Sequence, residues 1–150
     1  LPGSDDRWLA VLVHMEGALG LDPSWLTRLA VLGGDDPAVR LRLSKADNKQ
    51  LALLREAGFS GPPLPELAYR HGAVVAQQAL LLRSVLAESL PDLSMLETIL
   101  EASTKVFPLK AADLMPAFSG PALGQRLKRL EQAWVNSGFA LSRTELLQLP

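Results

Sequence analysis

Gly120, Gly124, Arg126, Lys128 and Arg129 are the residues of this chain whose types and spacing best suit chemistry, and that chemistry is the holding of an anion. Ser119-Gly120-Pro121 breaks the chain, and Pro121 suits a first helical position, where its missing N–H would be unpaired anyway. A helix opening there turns unpaired backbone N–H groups and the positive end of its dipole outward. With basic side chains one turn further on, the natural anion is a phosphate, and a nucleic-acid backbone is its sequence-tolerant carrier. Lys110, ahead of the turn, adds a further cation. The plain alternative is that the glycines let two helices pack closely and the basic residues form a solvated face.

Other motifs carry less. Gly33-Gly34-Asp35-Asp36 has the ingredients of a nucleotidyl-transfer site, a Gly pair and two carboxylates for Mg²⁺. Adjacent aspartates point in different directions, however, and no strand is expected here, so the run reads as a helix C-cap followed by an N-cap. His14-Met15-Glu16 has the spacing of a zinc deaminase motif without the cysteines such a site needs. His71, beside Tyr69 and Arg70, could touch a phosphate or base but reads as a helix-packing histidine. No phosphate-binding loop, nucleophile elbow or dinucleotide fingerprint occurs. No catalytic residue, metal ligand or cofactor is therefore assigned to this chain.

The elements that must position these residues are helices. Leu and Ala dominate while aromatics make up 5% and β-branched runs are scarce, which favours an all-α multi-helix bundle of amphipathic helices. No apolar run approaches the roughly 20 residues that span a bilayer, because Gln77 and Gln78 interrupt even Ala73–Leu82, so no membrane partner is expected. Cysteine is absent, which removes disulfide and thiolate chemistry and agrees with a cytoplasmic location. The chain has no initiator Met, and Leu1 reads as a boundary within something larger.

The net charge of −1 hides a division. Lys105–Pro150 holds six basic residues against three acids, while the preceding part holds nine against thirteen. Inside that acidic part, Arg40, Arg42, Lys45, Lys49 and Arg55 face only Asp47, which makes a second basic island. The organisation expected is a helical body over residues 1–104 and a small basic helical tail over residues 105–150.

In order, Trp8, Leu12, Met15 and Leu19 mark a helix closing near Gly20, with Asp5 or Asp6 as its cap. Asp22-Pro23 opens a second, with Trp25, Leu26, Leu29 and Leu32 inward and Gly33-Gly34 at its end. Asp36-Pro37 leads into Ala38–Leu43, and Ser44-x-x-Asp47 starts a helix with Ala46, Leu51, Leu54 and Ala57 inward that Gly58 stops. Phe59–Pro65 is expected to be a non-helical connector. Glu66–Ser89 is expected as one long helix with Val74, Val75, Leu81, Leu82, Val85 and Leu86 on a broad apolar face. Asp92–Ala102 follows with Met95, Leu96, Ile99 and Leu100 apolar. After a short helical piece near Phe107-Pro108, Leu123, Leu127, Leu130 and Trp134 recur at spacings of four, three and four, Gly138 closes that helix, and Ser142-Arg143-Thr144-Glu145 is a capping box.

Five blocks in order resemble a known family: Arg40-Leu-Arg-Leu-Ser-Lys-Ala46, Tyr69-Arg-His-Gly72 with Ala79-Leu-Leu-Leu82, Phe107-Pro-Leu-Lys-Ala-Ala-Asp-Leu114, Gly120-Pro-Ala-Leu-Gly124 and Leu130-Glu-x-x-Trp134. Together, from Pro37 to Leu147, they resemble the C-terminal helical region of bacterial CCA-adding tRNA nucleotidyltransferases and their poly(A) polymerase relatives. The chain departs from the family pattern at Lys45, where Asn is usual, and at Lys110-Ala111, where many relatives have a Gly before the Asp-Leu pair. The resemblance implies a non-catalytic, tRNA-binding body and tail that holds a tRNA or RNA 3′ end by its phosphates. A missing N-terminal catalytic head would use Mg²⁺ with CTP and ATP as substrates. On this reading Lys110, Arg126, Lys128 and Arg129 contact phosphates, Gly120 and Gly124 allow backbone approach, and Arg40, Arg42, Lys45 and Lys49 form the second contact island. Asp113 reads as a cap or turn residue. A helical protein-interaction or dimerisation module is the alternative, and a helix-turn-helix DNA reader is disfavoured because Leu123 and Leu127 follow the turn instead of polar side chains.

Overall fold

The computed structural model describes residues 6–33, 37–115 and 117–150. Among them every regular element is a helix. Contacts divide the chain into two compact units, Leu1–Ser103 and Thr104–Pro150.

The first unit is wound around one helix. It contains α1 (Asp6–Leu19), α2 (Trp25–Leu32), the single turn α3 (Pro37–Arg40), α4 (Lys45–Phe59), α5 (Leu64–His71), α6 (Ala73–Leu86) and α7 (Ser94–Ser103). Helix α6 packs against α1, α2, α4, α5 and α7, as its broad apolar arc requires. The core joins Leu12 and Met15 of α1, Leu26, Ala30 and Val31 of α2, Leu51 and Leu54 of α4, and Leu81, Leu82 and Val85 of α6. Gly58 lies inside α4 and is buried, not a stop: a Cβ there would sit 3.1 Å from the Leu82 Cβ, so its bareness lets α4 and α6 close up. Arg83 of α6 donates from Nε to the Ala57 carbonyl in the last turn of α4 at 2.9 Å and from Nη2 to the Pro62 carbonyl in the connector at 2.7 Å. Burial lowers its guanidinium from the ordinary arginine value.

Several local expectations give way to tertiary demands. The long helix expected over Glu66–Ser89 is two helices, because Gly72 takes φ 90° and ψ 163°, a region other residues enter only under strain, and α5 and α6 turn there to pack on each other. The connector is shorter than expected, since α4 runs on to Phe59 and α5 begins at Leu64 with Pro65 in its first turn. Ser24, not Asp22, caps α2: its side chain accepts from the Thr27 N–H at 3.3 Å, and its own N–H points to Glu16. Trp25 is consequently exposed and Thr27 takes the inward place. Helix α3 stops at Arg40, the chain reverses at Arg42 with φ 50°, and Val39 is exposed while Leu43 packs on the core. Ala46, Val74 and Leu100 also face outward. Gly34, Asp35 and Asp36, the cap-to-cap run, lie outside the described residues, as does the Asp5 cap. The other expected features stand: Gly33 closes α2 at φ 68°, Ser44 caps α4 through the Asp47 N–H, and α1 ends at Leu19.

The second unit contains α8 (Ala111–Leu114), α9 (Gly120–Asn136) and α10 (Arg143–Gln148). Trp134 of α9 is its centre, with the Phe107 ring 5.6 Å away and tilted and the Phe139 ring edge-on at 4.9 Å. Leu109, Leu114, Leu130, Val135 and Leu146 are buried in the same unit. Helix α9 closes with Gly138 at φ 69°, and the Phe139 N–H reaches back to the Trp134 carbonyl at 3.0 Å. The capping box at α10 is complete: Ser142 Oγ accepts from the Glu145 N–H at 3.3 Å while the Glu145 carboxylate accepts from the Ser142 N–H at 2.8 Å.

Two carboxylates anchor this unit, and their titration gives it a pH dependence. Asp113 accepts from Arg143 Nη2 at 2.9 Å and from the Lys110 N–H at 2.7 Å; the Arg143 bond first, then the backbone bond, holds its carboxyl below the usual range. Hydrogen bonds from the Ser142 side chain and backbone lower Glu145 likewise. Both folded values lie below the unfolded ones, so the stabilisation is present above the ordinary carboxylate pKa and is lost as pH falls through the lowered values. Amide exchange at Lys110 and Ser142 is therefore expected to accelerate as pH falls below about 4, after correction for intrinsic rates, and to be flat from about 5 to 8.

Candidate nucleic-acid interface

Helix α9 opens without a side-chain cap. Ser119 is extended at φ −146° and ψ 162° and its hydroxyl caps no amide, Gly120 takes φ 56°, and Pro121 fills the first turn. Gly120, Pro121, Ala122 and Gly124 are all exposed, and none of these four positions carries a side chain larger than a proline ring. A Cβ built on Gly120 or Gly124 would meet nothing within 4 Å. Packing against a neighbouring helix therefore does not account for these glycines within the unit.

Residues four apart share a helix face, which aligns Gly120, Gly124 and Lys128 as one strip with Arg129 beside its end. Lys128 and Arg129 are exposed, and neither is in an ion pair among the described residues. The strip thus runs from bare amides carrying partial positive charge to two full positive charges, over a helix 17 residues long. An anion approaching it meets backbone first and cation second, which suits consecutive phosphates.

Arg126 is placed elsewhere. Its guanidinium donates to the Leu149 and Pro150 carbonyls and lies 5.7 Å over the Phe118 ring, so it ties the end of the chain to α9. Lys110 is exposed at the start of α8, where its backbone N–H is held by Asp113 and its ammonium is left outside. Asp113 is the turn residue the sequence suggests, paired with Arg143.

The second island belongs to the first unit. Lys45 and Lys49 share a face of α4 at i, i+4, Arg42 sits just before the Ser44 cap, and Arg40 ends α3; all four are exposed. Arg55 is drawn inward and donates to the Gly33 carbonyl at 3.2 Å, closing α2. His71, expected as a packing residue, is exposed at the end of α5 because the break at Gly72 ends the helix there. His14 is exposed as well.

The buried role of Glu16 was not read from the sequence, where the residue figured only in the set-aside His14-Met15-Glu16 spacing. Glu16 is 2% exposed and its Oε2 accepts from Arg28 Nε at 3.1 Å and Nη2 at 2.7 Å. The signal for its burial is the apolar spacing of Leu12, Met15 and Leu19, which places Glu16 near the inner face of α1. Among the described residues no group of three or more His, Asp or Glu side chains is placed to hold a metal ion. No helix of the described residues is long and apolar enough to cross a membrane. Compared with protein-family models, with curated proteins and with solved structures, the chain matches none.

Proposed function

We propose that this chain is a non-catalytic, RNA-backbone-binding portion of a tRNA nucleotidyltransferase of the CCA-adding or poly(A) polymerase kind. The observation that carries the reading is the open Gly120-Gly124-Lys128 strip on α9, with Arg129 at its end. The resemblance carried by the ordered blocks from Arg40 to Trp134 supports tRNA as that polyanion. Phosphates lie along the strip, and Lys110 and the Arg40, Arg42, Lys45 and Lys49 island supply further sequence-independent contacts. Addition of nucleotides, with its Mg²⁺, CTP and ATP, belongs to the head. Arg126 acts indirectly, by fixing the chain end against α9.

The test is tRNA binding across a salt series. The wild-type chain is expected to bind with log K falling linearly in log salt, and Lys128→Ala with Arg129→Ala to lower the magnitude of that slope by about 2. Unchanged slope and affinity in the double variant would remove the α9 strip from the interface. The exposure of Leu90 and Leu93 between α6 and α7 favours a second reading, a helical interaction or dimerisation module. Under it, sedimentation shows concentration-dependent self-association and tRNA binding is absent at low salt.

A further inference from the structure

Ile99 and Ala102 fill the inner side of α7, which packs on α5 and α6. Its outer side carries a second apolar line. Leu93 is 64% exposed, Leu96 is half-buried and Leu100 is 52% exposed, at spacings of three and four that put them on one helix face. Leu90, in the turn before the helix, is 84% exposed. Exposed leucines taken singly need no explanation, but here two stand in register along one helix, bridged by Leu96 and headed by Leu90. That is a helix face without a partner.

Charge decides what can cover it. Residues 84–104 hold Glu88, Asp92, Glu97 and Glu101 and no Lys or Arg. Glu97 and Glu101, one helical turn apart, are exposed beside Leu93 and Leu100 on α7. From outside the stretch, Arg7 meets Glu88 loosely at 3.8 Å with both side chains largely exposed, and Arg70 of α5 is held by Glu66 at 2.9 Å. The stretch therefore repels RNA and anionic lipid alike. A second copy laid on this face would set its own Glu97 and Glu101 against these, which like-charge repulsion opposes. What fits is a partner both apolar and positively charged. A leucine line at three-four spacing, about 10 Å long, matches the corresponding stripe of another helix. We propose that the Leu93, Leu96 and Leu100 face of α7, with Leu90 at its head, docks a cationic amphipathic helix of another protein, its apolar side chains on the stripe and its Lys or Arg beside Glu97 and Glu101. The surface is independent of the RNA reading, since none of its residues lies in either basic island or on α9.

The experiment titrates the full chain with a synthetic peptide of about 14 residues, leucines at three-four spacing on one face and lysines on its flanks. Two control peptides keep that length, one with glutamate for every lysine and one with the same composition scrambled off the stripe. In amide ¹H–¹⁵N spectra, saturable shifts centred on residues 88–104 are expected for the lysine-flanked peptide alone. Leu93→Gln with Leu100→Gln is expected to weaken binding about tenfold or more with Tm nearly unchanged, because both side chains already stand mostly in water. Glu97→Lys is expected to weaken it too, by a factor that shrinks as salt is raised. Equal binding of either control peptide, unchanged affinity in both variants, or no saturable binding at all would overturn the proposal. So would sedimentation of the protein alone showing a dimer that the double leucine variant dissolves, which would make a second copy the occupant.

Discussion

Replacing Arg28 by Ala is expected to destabilise the first unit by about 3 kcal/mol, the low end of what breaking a buried ion pair costs. The pair is asymmetric: the Glu16 side chain is 2% exposed while Arg28 is 37% exposed. Removing Arg28 strands a carboxylate that is 2% exposed, with only a long contact from the Ser24 N–H left to it. Glu16→Gln, by contrast, leaves a charge that can still turn toward water and is expected to cost about 1 kcal/mol. Urea unfolding followed at amides of α1 and α2 checks both, and the ordering of the two variants matters more than either value. Equal losses would mean that Glu16 reaches solvent in the folded protein.

Trp134→Ala is expected to cost about 3–5 kcal/mol and to abolish the ordered second unit, since a fully packed aromatic is being deleted from a core of few residues. Trp134 is 4% exposed, carries the Phe107 and Phe139 rings, and supplies the carbonyl that closes α9. Loss of far-UV helix signal together with near-random amide shifts over residues 104–150 is the expected readout. The first unit is expected to stay folded in this variant, with Trp8 and Trp25 reporting on it by fluorescence. If the proposed RNA reading holds, RNA affinity is expected to fall in the same variant, because the strip loses the helix that presents it.

The second unit was the more legible of the two, and the reason is locality. Pro121 in a first turn, the Leu123-Leu127-Leu130-Trp134 stripe and the Ser142–Glu145 box are all specified within a few residues, and each stands in the structure as read. In the first unit the misread features are settled at a distance. Asp22 and Ser24 are both good caps, and Glu16, eight residues before Ser24, accepts the Ser24 N–H and sides with it. Gly72 sits in a run of good helix formers, so nothing nearby announces that α5 and α6 must fold back on each other there. The candidate site divides in the same way. The i, i+4 alignment of Gly120, Gly124 and Lys128 follows from helix geometry alone, whereas the capture of Arg126 by carbonyls more than 20 residues away required coordinates.

The role of the α9 strip is tested most directly by tRNA affinity in Gly124→Glu. The position is exposed with nothing within 4 Å of a Cβ, and Glu favours a helix more than Gly does, so the variant should fold at least as stably as the parent. If phosphates lie along the strip, a carboxylate placed between the bare amides and Lys128 repels them, and affinity at low salt falls by about tenfold or more while Tm is unchanged or higher. Full retention of tRNA affinity in a well-folded Gly124→Glu chain would contradict the assignment of this face to RNA.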